Sequence, residues 1–362
     1  MPVDAGLATL SDHLFTWSIV LYSVALIAYC GEYAFGRRGR VAATSPVVDE
    51  TVPAAAVPAG AASAGAASAN AAPAGGAGGE FPADEEDDGV DGGDRPGRPR
   101  RRAPRADRFG RLAVLTTAAG LVLQLSSLTT RGIATGRVPW GNMYEFSSVV
   151  GATAVLAFLI VLVRLPQVRY LGMFVMMPVV VLLFLAGTVL YAKAAPLVPA
   201  LRSYWIVIHV TTISIGTGIF LVSFVGSVLF LVRRRWDAVV ATGRTPARFP
   251  VTLGGRLPTA EVLDRMAYRT VAFGFPIYTF GIIAGAIWAE AAWGRYWGWD
   301  PKETWAFITW VVYAAYLHAR ATAGWRGAAA ARINLLAFAT MIFNFFVVNM
   351  VVSGLHSYAG LT

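Results

Sequence analysis

The chain has 362 residues, 56% hydrophobic and only 14% charged, with a mean hydropathy of +0.56. So much apolar side chain with so little charge excludes a soluble globular protein of this size. Only helices or closed barrels satisfy their own backbone in lipid, and windows of about 19 apolar residues select helical spans. The formal net charge of +9 and pI near 9.9 call for no nucleic acid, because basic loops beside anionic lipid account for them.

In chain order, eight stretches qualify as spans: 14–34, 111–130, 146–164, 170–191, 205–232, 270–289, 305–321 and 333–354. The expectation is an all-α, polytopic integral membrane protein with about eight transmembrane helices. The first span follows Met1–His13, which has no basic residue, so it reads as a retained anchor rather than a cleaved signal. Cys30 is the sole cysteine. It permits no disulfide within the chain, and there is no Cys-x-x-Cys-His, so the chain is not itself a c-type cytochrome.

Residues 36–108 run from Ala/Pro/Gly/Ser repeats through an acidic patch, Asp84 to Asp88, into an arginine cluster, Arg95 to Arg108. Such a composition cannot bury a core and is expected to be a disordered cytoplasmic linker, its arginines holding lipid headgroups. The expected organisation is a first transmembrane helix (1–35), this linker (36–108) and a seven-helix membrane domain (109–362). With the N-terminus outside, 24 of the 30 lysines and arginines fall on the inner side, as the positive-inside rule requires. Both termini are then expected outside. In the loop 233–269, Leu263, Met266 and Ala267 share a helix face, which predicts a short interfacial helix.

The segment 288–305, WAEAAWGRYWGWDPKETW, holds five of the chain's eleven tryptophans and is expected as an outer loop between spans six and seven. Asp300-Pro301-Lys302-Glu303 is a helix start: Asp300 as N-cap, Pro301 at N1, and Glu303 at N3 closing a capping box. The aromatic residues fit two readings. One is the interfacial aromatic belt of membrane proteins. The other is a platform for a large, flat, apolar ligand, with Gly294 and Gly298 allowing close approach. Upstream, Gly281 and Gly285 form a G-x-x-x-G pair, read as close helix packing.

The chain has four histidines. His13 precedes the first span and receives no role. His209 lies near the outer end of span five and His356 near the outer end of span eight, both at the depth of the tryptophan loop. A porphyrin needs apolar walls and a nitrogen ligand on each side of its iron, and this pair supplies such a constellation. His318 lies about 20 Å below the loop at 1.5 Å per residue, which assigns it to a second site toward the inner leaflet; Val311, Ala314 and Ala315 share its face. Each histidine also has a plain reading as an interhelical hydrogen-bond partner, although ionisable residues at such depth are functional candidates by default. Asn344 and Asn349 read as packing hydrogen bonds, and Glu290 is assigned nothing.

The run from Trp288 and Ala289 through Trp293, Gly294, Tyr296, Trp297, Trp299, Asp300-Pro301-Lys302-Glu303-Thr304 and Trp305 resembles the tryptophan-rich WWD signature of haem-handling proteins. Its form is similar to that of the CcsA/ResC family of cytochrome c biogenesis proteins. GFPIYTFGIIAGAIWA (274–289), SYWIVIHV (203–210) and FNFFVVNMVVSGLHSYAG (343–360) resemble further family segments. PWGNMYEF (139–146) resembles an outer-loop motif with no evident chemistry. The likeness covers roughly 110–360, and 36–108 looks like an insertion.

The resemblance implies a task. Haem b is carried across the plasma membrane and presented at the outer face, where the thiols of an apocytochrome c Cys-x-x-Cys-His motif join it as thioethers. It implies a multi-pass chain working with a ResB-type partner as part of a holocytochrome c synthase, with a thioredoxin-like protein keeping the thiols reduced. By match of motif, His209 and His356 would ligate the iron of the external haem and His318 that of an inner-leaflet haem. Trp288, Trp293, Tyr296, Trp297, Trp299, Asp300 and Trp305 would line the external site. No side chain reads as a general acid or base, so catalysis would be positioning. Two alternatives are a Ccm-type haem exporter without synthase activity and a b-type electron-transfer subunit.

Overall fold

The computed structural model describes residues 3–35, 104–195, 203–322 and 325–356. Most of the expected linker 36–108 lies outside the described residues, except that the second helix already begins at Pro104. Among the described residues there is no strand. Eight α-helices carry the fold: α1 Ala5–Phe35, α2 Pro104–Thr135, α3 Met143–Arg164, α4 Gly172–Thr188, α5 Tyr204–Val240, α6 Ala260–Trp293, α7 Pro301–Ala321 and α8 Ala328–Met350. They correspond one to one with the eight apolar stretches. Seven are long and apolar enough to cross a membrane; the exception is α7, whose two ends carry Lys302 and Glu303, and His318 and Arg320.

The helices are held by buried polar clamps, as expected where lipid tails remove the hydrophobic drive between helices. α1 lies along α2, with Ser11 and Ser127 each donating to the other's backbone carbonyl. Tyr22 donates to Gln124 at 2.7 Å, and Gln124 donates to Ser148 O at 2.8 Å, so the same clamp reaches α3. On the other side, α5 lies along α6 and α7 packs on α8. There Asn334 donates to Ser223 Oγ at 2.8 Å and Ser227 Oγ at 2.7 Å. Phe220 of α5 stacks on Tyr313 of α7 at 3.8 Å between ring centroids.

Leu263, Met266 and Ala267 do not form a separate interfacial helix. They are buried within one continuous 34-residue α6, facing α5, where Ser223 Oγ donates to Ala267 O. The amphipathic pattern was real, but its apolar face meets a neighbouring helix rather than headgroups. At about 1.5 Å per residue, α5 and α6 exceed the roughly 30 Å hydrocarbon layer. They form a paired strut running past it.

The motif at 139–146 acquires a physical role as a charge hub. Asn142 caps α3 by accepting the Glu145 N–H at 2.9 Å. The Glu145 carboxylate, fully buried, accepts from Arg131 Nε at 2.8 Å, Arg137 Nη1 at 2.8 Å and Gly141 N at 2.7 Å. Arg131 also reaches Asp12 of α1 and the carbonyl of Ala192, and Tyr191 donates to Asp12 at 2.7 Å. One carboxylate thus locks α1, α2, α3 and the segment after α4 together. Replacing it strands two arginines. Glu145→Leu is expected to cost about 3–5 kcal/mol, read by denaturant unfolding in detergent. A loss under about 1 kcal/mol would contradict the hub.

Candidate haem-type site between α5, α6, α7 and α8

Asp300 organises one end of the site. Its carboxylate accepts the Lys302 N–H, and the Glu303 side chain returns to the Asp300 N–H, completing the expected capping box. The same carboxylate accepts the Leu355 N–H at 2.8 Å and bonds His356 Nδ1 at 2.8 Å. Asp300 therefore stands behind His356 and orients it, rather than facing a ligand directly. Burial opposes the carboxylate, but the Leu355 N–H and His356 outweigh it and hold its pKa below the usual carboxylate range. Burial keeps the His356 imidazole below its ordinary value in spite of that neighbour.

His209 is held by backbone. Its Nδ1 lies 2.7 Å from Gly281 O of α6. A carbonyl can only accept, so Nδ1 carries the proton and Nε2 keeps its lone pair. The G-x-x-x-G pair divides its work. A Cβ on Gly281 would meet Thr212 and Ile213 of α5, which is close helix packing, whereas a Cβ on Gly285 would sit 2.5 Å from His209 Nδ1. Gly285 makes room for the imidazole.

The two histidines converge on one indole. Trp288, only 2% exposed, lies parallel to His209 with centroids 6.2 Å apart and edge-on to His356 at 5.6 Å. Trp293 meets His356 at 4.9 Å and Trp288 at 4.7 Å. Around them are two adjoining hollows, both lined by His209, Trp288, Lys302, Asn344 and His356. Trp140, Gly141 and Asn142 wall the larger one, so the charge hub at Glu145 also sets a wall of the cleft. Tyr296 and Trp297 wall the smaller.

The remaining aromatic residues lie elsewhere. Gly294 ends α6 in the left-handed conformation at φ +71, and Trp299 adopts φ +57, so the loop turns outward. Trp299 is exposed and edge-on to Trp297 and Phe307. Trp305 packs on Phe343 of α8 at 4.1 Å. His318 lies in the last turn of α7, exposed on the same face as Phe307, Val311 and Ala315. Asn349 does join helices, accepting from Lys302 Nζ at 2.7 Å, while Asn344 Oδ1 is buried without a partner.

The donor set fits a flat macrocycle with an axial metal. Two imidazoles have Nδ1 engaged by a carbonyl or a carboxylate, the arrangement that orients histidine ligands, and neither Nε2 is hydrogen-bonded among the described residues. No group of three or more His, Cys, Asp or Glu suited to a bare metal ion occurs among them.

The fold and cleft are those of a polytopic helical membrane protein with a histidine-paired, tryptophan-walled cavity. The family described as "Cytochrome C assembly protein" matches residues 140–356, which span both histidines, the tryptophan loop and the Glu145 hub. The cytochrome c biogenesis protein CcsA of Guillardia theta is 38% identical over 245 residues, 65% of this chain and 81% of that protein. CcsA of Pyropia yezoensis is 35% identical over 280 residues, covering 69% and 88%. CcsA of Gloeobacter violaceus is 35% identical over 296 residues, covering 68% and 87%. The chain belongs to the cytochrome c assembly family and is a multi-pass membrane component of cytochrome c biogenesis.

Lys302 and the 139–146 motif escaped the assignment of site residues. The signals were present: Asn-x-x-Glu ahead of an apolar run is a cap pattern, and a lysine in the first turn of a helix opposes its dipole. The Gly285 geometry yields a test. Gly285→Ala is expected to push His209 off its carbonyl and lower co-purified haem about tenfold or more, read from the Soret band per mole of protein. Unchanged haem content and band position would show that His209 does not need that space.

Proposed function

We propose that this protein carries haem b to the outer face of the plasma membrane and presents it for thioether attachment to an apocytochrome c, in complex with a ResB-type partner. The observation that carries this reading is the meeting of His209 and His356 at Trp288, each with Nδ1 engaged and Nε2 without a hydrogen bond among the described residues. Two neutral imidazoles would hold the iron from both sides in either redox state and shield it from oxygen. Trp288, Trp293, Tyr296 and Trp297 would pack the ring.

In the attachment step each cysteine S–H adds across a haem vinyl group. The sulfur bonds one carbon and the proton goes to the other, so no oxidant or reductant is consumed. The chain's share is positioning, with thiols kept reduced by a thioredoxin-like protein. His356 sits on a short segment after α8 rather than inside a helix, which suits a ligand that must give way to the histidine of the target peptide. His318, on an exposed face of α7, fits an inner-leaflet haem whose opposite ligand comes from the partner. This orientation puts both chain ends outside, as the distribution of basic residues requires.

The test is co-expression with a ResB-type partner and a reporter cytochrome in a host lacking its own maturation system, with absorption spectra of the purified complex. His209→Ala and His356→Ala are each expected to shift or abolish the bound-haem spectrum and stop reporter maturation, with added imidazole restoring both. Bound haem with no reporter conversion in the wild type would reassign the chain to delivery alone. A complex without tetrapyrrole would end the haem reading.

A further inference from the structure

Several arginines among the described residues are matched to carboxylates. Arg131 and Arg137 meet Glu145, Arg169 meets Glu32 and Asp107, Arg233 meets Asp237, and Arg320 meets Asp264. Lys302 differs. Its Nζ donates only to neutral oxygens of α8, Asn344 O at 3.0 Å and Asn349 Oδ1 at 2.7 Å, and it forms no ion pair among the described residues. The nearby Asp300 carboxylate is engaged by Leu355, His356 and the Lys302 backbone N–H.

A partly buried ammonium in an apolar cleft without a paired counter-charge is costly. The position compounds the cost, because Lys302 stands in the first turn of α7, where the helix dipole favours anions. The surroundings also hold an unused hydrogen-bond donor. Lys302 lines both hollows. Trp140 lines the larger hollow, and its buried indole N–H has no partner. A lysine with a spare proton and a free indole N–H beside one apolar cleft make a receptor for a carboxylate.

We propose that Lys302 is the counter-charge for a carboxylate of the cleft's ligand, with the Trp140 indole N–H donating a further hydrogen bond. The inference rests on the haem reading and deepens it. Haem b carries two propionates on one edge and its vinyl groups on others. Anchoring a propionate at Lys302 fixes the rotation of the ring about the axis through its metal, which two axial imidazoles alone leave free. Lys302 is thus an orienting residue, deciding which edge faces the incoming peptide.

The test compares haem with its dimethyl ester, in which the propionates are uncharged, by titrating each into the purified full chain in detergent and reading the Soret band. In the wild type, haem is expected to bind about tenfold or more tighter than the diester, the scale of one charge-assisted hydrogen bond. Lys302→Met should lower haem affinity by that factor and leave diester affinity unchanged, while Lys302→Arg keeps the preference. Equal affinity for haem and diester in the wild type overturns the proposal, and so does a preference that Lys302→Met leaves intact. Where Lys302→Met fails to fold, seen as loss of diester binding too, the wild-type ratio and the Arg variant decide. If His209→Ala and His356→Ala change the spectrum while the haem-to-diester ratio is one, only the role of Lys302 falls. If the wild type binds neither porphyrin, the haem reading and this inference fall together.

Discussion

The Asp300 carboxylate joins three parts of the chain through one side chain. It caps α7, receives the backbone N–H of Leu355 beyond α8, and fixes the ring of His356. These bonds tie the segment after the last helical turn to the start of α7. The geometry of His356 is therefore inherited from the start of a helix, which is among the more sharply defined points of a fold. His209 draws its position from a carbonyl of α6, so each imidazole is aimed by an element other than its own.

This arrangement divides rigidity unevenly. α5 and α6 are paired along their length, and His209 is embedded between them where Gly285 leaves space. The opposite wall is stiffened from a distance by Glu145 and its two arginines, which fix the turn carrying Trp140 and Asn142. His356 alone stands on non-helical backbone. Under the proposed reading, that asymmetry suits a site that must hold haem firmly from one side and release it from the other. Lys302 adds a lateral contact that neither histidine supplies.

Much of this was legible in the sequence. Apolar runs marked the eight helices, and Asp300-Pro301-Lys302-Glu303 marked the capping box, because both signals are local and repeat a physical pattern. The expected common depth of His209 and His356 followed from counting residues along spans. What the sequence did not show was contact across helices. Leu263, Met266 and Ala267 gave a correct apolar face with the wrong partner, since periodicity does not say whether lipid or protein covers it. The tryptophans carried no mark separating Trp288, which meets both histidines, from Trp305, which packs on α8, or Trp299, which is exposed. The dual duty of Asp300 was hidden for the same reason: a capping aspartate looks alike whether or not its second oxygen has another task.

The central claim is that His209 and His356 grip one macrocycle through their Nε2 atoms. Pulsed electron paramagnetic resonance of the ferric complex, with the chain carrying ¹⁵N-histidine, reads this directly. The account predicts a low-spin centre coupled to two histidine nitrogens, reduced to one in either alanine variant. A high-spin centre, or a wild-type signal coupled to a single imidazole, would contradict it.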